Sequence, residues 1–197
     1  MESTFLKLKE NERELRKNVL IEAAMVLFSK KPFHEIGMRD IASEAGVSPA
    51  SIYRYFASKD DLYVEALKID ISAIVKRLEK RKKKSTIEEL AIKVVDYMFD
   101  QEATFQLMCH FLIRGDDKSE AMDKFSAIQV FFVDEFNKMI KSITGDKNPV
   151  FHSQAFFASL TGVVMMFRNY PNLSKKERRE LMHKIALVII QKGKPVI

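Results

Sequence analysis

Three features of this 197-residue chain predict an all-α fold. Apolar side chains recur at three- and four-residue intervals through most of its length, the spacing that gives a helix one buried face. No Asn-Gly or Asp-Gly pair and no sustained apolar–polar alternation signals a hairpin or a strand. With 47% apolar residues against six glycines and five prolines, the chain can bury a sizeable core.

The elements follow in order. Leu20, Ala23, Ala24, Leu27 and Phe28 form one stripe of a helix over residues 11–30, and Pro32 ends it. Residues 38–45 form a short helix that stops at Gly46. Ser48 caps the next helix and Pro49 fits its first position, so a short helix runs over about 49–56. Ser58, followed by Asp60 and Asp61, opens a long helix to about residue 80. Thr86 and Glu89 have capping-box spacing at the start of a helix over 87–100, with Leu90, Val94, Val95 and Met98 inward. Further helices cover 102–114, stopping at Gly115, and 118–143, breaking at Gly145. Another runs over 149–169 to a break at Pro171, and Ser174 opens the last, to about 191. That makes about nine helices: four in a small N-terminal unit and five in a bundle.

Composition narrows the function classes. One cysteine, Cys109, permits no intrachain disulfide. The first eighteen residues are polar and lack the apolar run of a signal peptide. No uninterrupted apolar run approaches the ~18 residues of a membrane span. The longest candidate, FFASLTGVVMMF at 156–167, suits a buried helix, so a cytoplasmic protein without a membrane partner is expected. His34, His110, His152 and His183 lie far apart, and no metal or cofactor site is expected. No Gly-rich phosphate loop, Gly-x-Ser-x-Gly or His-Glu-x-x-His appears, so no enzyme is expected. The net charge of +6 resides in KRLEKRKKK at 76–84; the rest of the chain is balanced. A basic isoelectric point therefore says little about a basic face elsewhere. The run itself suits a solvated helix end or a segment near a polyanion.

IASEAGVSPASIYRYF, residues 41–56, carries the strongest functional signal. Ile41, Ala42 and Ala45 face inward from one helix, Gly46 allows a sharp turn and Val47 plugs it. Ile52 and Phe56, four apart, bury the inner face of the second helix. From Pro49 onward, Ala50, Ser51, Tyr53, Arg54 and Tyr55 are left outside or at the flank. Small residues at its N-terminal end would let such a helix enter a major groove ~12 Å wide.

The segments Met38-Arg39-Asp40-Ile41-Ala42, Ala45-Gly46-Val47-Ser48, Ile52-Tyr53-Arg54-Tyr55-Phe56, Ser58-Lys59 and Leu62 resemble the N-terminal signature of TetR/AcrR-type transcriptional regulators. The resemblance covers about residues 15–67. It implies a helix-turn-helix DNA-binding domain at 1–57 and a ligand-binding and dimerisation domain at 58–197. It also implies a homodimeric repressor of a double-stranded DNA operator, controlled by a small apolar or aromatic effector. Carried over by position, Ala50, Ser51 and Tyr53 would approach bases. Arg54, Tyr55 and Lys59 would contact phosphates, flanked by Ser48 and Arg39. Two positions depart from the pattern. Ala50 stands where a glycine is usual, and Gly37 where a threonine cap is usual.

Ten methionines and fifteen phenylalanines, mostly after residue 95, make either a plain core or a deformable apolar cavity. Candidate lining residues are Tyr97, Phe105, Met108, His110, Gln129, Phe132 and Phe156, with Asn137, His152 and Gln154 as further polar groups. Ser159 and Gly162, small residues in an apolar helix, mark the last two helices for dimerisation. Phe156, Leu160, Val163, Phe167, Met182, Ile185 and Ile189 would join them. Such a dimer would hold two recognition helices ~34–36 Å apart. The rival reading is a carrier of an apolar molecule without regulatory DNA binding.

Overall fold

The structure, a computed structural model, describes residues 2–79, 86–114 and 118–192. The secondary structure is α1 (Glu2–Phe28), a 3-10 turn (Phe33–Glu35), α2 (Met38–Glu44), α3 (Pro49–Ile52), α4 (Lys59–Glu79) and α5 (Ile87–Asp100), followed by α6 (Glu102–Arg114), α7 (Glu120–Thr144), α8 (Val150–Phe167) and α9 (Lys175–Lys192). Nine α-helices and no strand among the described residues bear out the all-α class. Most of the basic run, residues 80–84, and the expected stop at Gly115 lie outside the described residues.

Contacts gather the chain into two compact units, Met1–Asp70 with Gln106–Phe125 and Ile71–Phe105 with Ser126–Ile197. So α4, α6 and α7 each belong partly to both. Helix count alone had grouped all of α6 and α7 with the bundle. The boundary expected at residue 57 falls inside the first unit.

In the first unit, the predicted stripe of α1 is buried, with Ala24 fully enclosed. Tyr63 from α4 completes this core. Its hydroxyl donates to the Ala24 carbonyl at 3.2 Å, and its ring tilts against Phe28 and Phe33 at 5.5 and 5.1 Å. Burial pushes its phenol well above the usual pKa. Helix α1 begins well before residue 11. Nothing in residues 2–17 breaks a helix, and Glu12–Arg16 and Glu14–Lys17 pair along its surface at 2.6 and 3.1 Å. Phe5, Leu6, Leu8 and Leu15 on this extension are exposed.

Residues Gln106–Phe125 join this unit through side chains. Phe111 is fully buried and stacks on Phe125 at 5.2 Å. Arg114 pairs with Asp60, and Lys124 with Asp61 at 2.5 Å. His110 lies ring to ring with Phe33 at 4.1 Å.

In the second unit, Thr86 Oγ1 caps α5 by accepting from Glu89 N at 3.2 Å. Ser174 and Glu177 close a full capping box at α9, which holds the Glu177 carboxyl below its usual pKa. Asp96 of α5 accepts from Arg179 and His183 of α9, at 3.1 and 2.8 Å. Phe132 and Phe136 meet Phe156 and Phe157 in a cluster of rings, with Phe132–Phe157 centroids at 4.7 Å.

Helix α8 corrects an expectation. It buries only Ser153, Leu160, Val163 and Val164. Phe151 and Met166 are 76% and 70% exposed, because this apolar helix has a covered face on one side only. By length and composition it could also cross a membrane, with a mean hydropathy of 1.4.

Candidate nucleic-acid interface

The site is built on α2, α3 and the turn between them. Gly37 opens α2, its N–H donating to the Asp40 carboxylate at 2.7 Å, so an acid at the third position replaces part of the missing side-chain cap. At the other end Gly46 has φ +68°, a region that costs any side chain strain. Gly46 N donates to Ser43 O at 3.1 Å and Val47 N to Ala42 O at 2.9 Å. These two bonds make a Schellman closure, which reverses the chain directly into α3.

Ser48 Oγ then accepts from Ser51 N at 3.3 Å and meets Ser51 Oγ at 2.8 Å. The α-helical part of α3 is shorter than expected, ending at Ile52. Hydrogen bonds from Arg54 N to Ser51 O and from Tyr55 N and Phe56 N to Ile52 O carry the chain on as tight turns. Ile52 and Phe56 are almost wholly buried, as their spacing predicts, and hold the segment from behind.

Arg39, Ser48, Pro49, Ala50, Tyr53 and Arg54 are exposed, while Ser51 and Tyr55 are half-buried. Arg39 and Arg54 form no ion pair among the described residues, leaving two cations available to an anionic partner. Val47 departs from its expected role. It is 37% exposed and lines a surface cleft rather than plugging the turn. That cleft, of about 220 Å³, lies between α1 and the recognition segment. Arg16, Val19, Leu20, Val47, Ser51, Arg54 and Tyr55 line it. The Arg16 guanidinium is held above its usual pKa by hydrogen bonding to Tyr55 first and by Glu12. Arg16 escaped sequence reading because its closeness to Tyr55 is a tertiary contact between segments far apart in the chain.

Lys59 is a correction. Its Nζ donates to Phe33 O at 2.7 Å and Ile36 O at 2.9 Å and lies 4.1 Å over the Phe33 ring. Burial lowers its pKa. Lys59 therefore fastens the 3-10 turn to the start of α4 instead of presenting a free ammonium for a phosphate.

The expected pocket residues are divided between the two units. Met108 and His110 belong to the first unit, and Tyr97, Phe105, Gln129, Phe132 and Phe156 to the second. Gln129 is exposed, as is Gln154, and Phe105 is buried. His110 Nε2 is buried without a hydrogen-bond partner. His152 pairs with Asp146 at 2.6 Å, and Asn137 accepts from the Ser153 hydroxyl. Among the dimer candidates, Leu160, Val163 and Met182 are 0–5% exposed and pack inside their own unit, which withdraws them from any outer surface. Phe156, Ser159, Phe167, Ile185 and Ile189 are half-buried, and Gly162 is exposed.

Comparison with known proteins places this geometry. The family model of bacterial regulatory proteins, tetR family, matches residues 20–66, which span the end of α1 through the start of α4. An HTH-type transcriptional regulator of Haemophilus influenzae is 28% identical over 182 residues, covering 89% of this chain and 87% of its own. The HTH-type transcriptional repressor KstR of Mycobacterium tuberculosis is 42% identical over 65 residues, 33% of this chain and 29% of KstR. The transcriptional regulator FadR of Bacillus subtilis, solved in complex with stearoyl-CoA, superposes with a TM-score of 0.63 at 18% identity, over 89% of this chain and 98% of FadR. That similarity extends the shared fold beyond the matched head. With its buried Ile52 and Phe56 and its Schellman turn, the stretch 20–66 is similar to bacterial regulatory proteins of the tetR family.

Proposed function

We propose that this protein is a homodimeric, sequence-specific operator-binding repressor whose DNA affinity is set by a small apolar effector. The observation that carries the reading is the recognition segment. Ile52 and Phe56 anchor it, while Tyr53, 57% exposed, and Arg54, which has no ion pair among the described residues, are presented outward. Tyr53 and the small Ala50 and Ser51 suit base edges, and Arg39, Arg54 and Tyr55 suit phosphates. In this reading residues 1–57 read DNA, and residues 58–197 bind effector and pair two chains.

The bare face of α8 supports pairing. Phe151, Met165 and Met166 on α8 and Val188 on α9 are exposed apolar side chains. A Cβ added at Gly162 would meet no atom within 4 Å in its own chain. A helix-interior glycine costs about 1 kcal/mol against alanine, so its open space favours close approach by a second chain. The ring cluster around Phe132, Phe136, Phe156 and Phe157 suits an apolar effector, and stearoyl-CoA in FadR is a precedent for a long acyl chain. Such an effector acts by population shift, and only if it binds the DNA-competent and DNA-incompetent forms unequally.

The test is fluorescence anisotropy on duplexes from the DNA flanking the protein's own gene, with scrambled duplexes beside them. Tyr53→Ala should erode discrimination between the two. Arg54→Ala should weaken both, with a shallower salt dependence. Wild-type behaviour from both variants would show that α3 is not the reading element.

A further inference from the structure

The cleft between α1 and the recognition segment has a composition that neither neighbouring core accounts for. Its floor is Leu20, which is buried, and Val19 and Val47 form apolar walls, 52% and 37% exposed. Its polar lining is two guanidiniums, Arg16 and Arg54, and two hydroxyls, Ser51 and Tyr55. No carboxylate lines it. Glu12 lies one helical turn before Arg16 and holds it at 2.6 Å, with both side chains about 60% exposed. Arg54 has no ion-pair partner among the described residues. Two cations and two hydroxyls, Ser51 bonded to Ser48 and Tyr55 to Arg16, surround a small open space and form a receptor for one anionic tetrahedral group. The apolar walls beside them suit the carbons of a sugar. Three of the four polar residues, Ser51, Arg54 and Tyr55, already belong to the surface that we read as facing DNA.

We propose that this cleft seats one phosphodiester of the duplex, with its deoxyribose against Val19 and Val47, and that Arg16 is a DNA contact contributed by α1. The inference rests on the DNA-binding reading above and extends the contact surface from the helix-turn-helix onto the first helix. The phosphate replaces Glu12 as partner of Arg16, at low cost because exposed i,i+4 pairs contribute only about 0.3–0.5 kcal/mol, while the hydrogen bond to Tyr55 keeps the guanidinium at the cleft. As a phosphate contact, Arg16 adds affinity without sequence preference.

The experiment titrates full-length wild type, Arg16→Met and Arg16→Lys against two labelled duplexes of about 30 base pairs, long enough for two half-sites. One carries flanking sequence of the protein's own gene and the other is its scramble, and both are measured over a salt series. Arg16→Met keeps the aliphatic stem and removes the charge. With one cleft in each protomer, it should weaken both duplexes by about a hundredfold, tenfold for each cleft, and reduce the slope of log affinity against log salt by about 1.8. Arg16→Lys should recover the slope. If wild type binds and Arg16→Met matches it in affinity and slope, the cleft holds no phosphate and the DNA-binding reading stands. A loss confined to one duplex would make Arg16 a base contact and overturn the phosphate assignment. Failure of wild type to bind either duplex would overturn both readings.

Discussion

His110 illustrates at the scale of one residue why a polar side chain in an apolar run is ambiguous. As a polar group among apolar residues it was a pocket candidate, yet the imidazole lies tilted against Phe33 and its Nε2 is buried without a hydrogen-bond partner. Burial, then the Arg114 charge, lowers its pKa; Lys59 adds to this and Asp60 opposes it. The unfolded chain takes up a proton near the ordinary histidine pKa of about 6.5, while the folded chain resists until lower pH. Stability is therefore full above about 6.5 and falls as pH drops through the window below it. His110→Phe should remove that pH dependence. It should also raise unfolding free energy by about 1 kcal/mol, since it deletes an unsatisfied buried nitrogen, as read from urea titrations at pH 7.5 and 5.5. A variant with unchanged pH dependence would show that another group carries it. Lys59 gives the same lesson from the other side. Its carbonyl partners lie 26 and 23 residues upstream, and no local pattern encodes such a contact.

Among the elements, what sequence made legible was what local rules control. Thr86 and Ser174 mark helix starts and Gly46 marks a stop; Leu20, Ala24, Ile52 and Phe56 face the core. Less legible were features decided by neighbours. The 3-10 turn at Phe33–Glu35 is held by Lys59, and α1 extends through residues that show no apolar stripe. The exposed face of α3 could be read from sequence because it is the outward remainder of a short, well-anchored segment. The place of Arg16 beside that face could not, because Arg16 reaches Tyr55 only through the fold. Gly46 offers a test of the turn. An added Cβ meets nothing within 4 Å, so Gly46→Ala should cost only the strain of positive φ, roughly 1–2 kcal/mol. Global stability should fall by that amount, measured by denaturant unfolding. A neutral result would mean that the turn relaxes to negative φ.

For the whole molecule, the open question is what covers α8. Met166→Glu should convert a dimer to a monomer in light scattering and sharply weaken operator binding, because one head then acts alone. Gly162→Ala separates the possibilities further. On a solvent-facing helix it should stabilise the chain by about 1 kcal/mol, whereas at a close contact between chains it should lower the concentration-dependent melting temperature.

One architectural feature limits how such a protein can be taken apart. The first unit is assembled from Met1–Asp70 and from Gln106–Phe125, which supply Phe111, Arg114 and Lys124 to it. A fragment ending at residue 70 would leave Asp60 and Asp61 without these partners and expose the surface that Phe111 covers. Exchanging heads between relatives therefore requires transplanting two separated segments together.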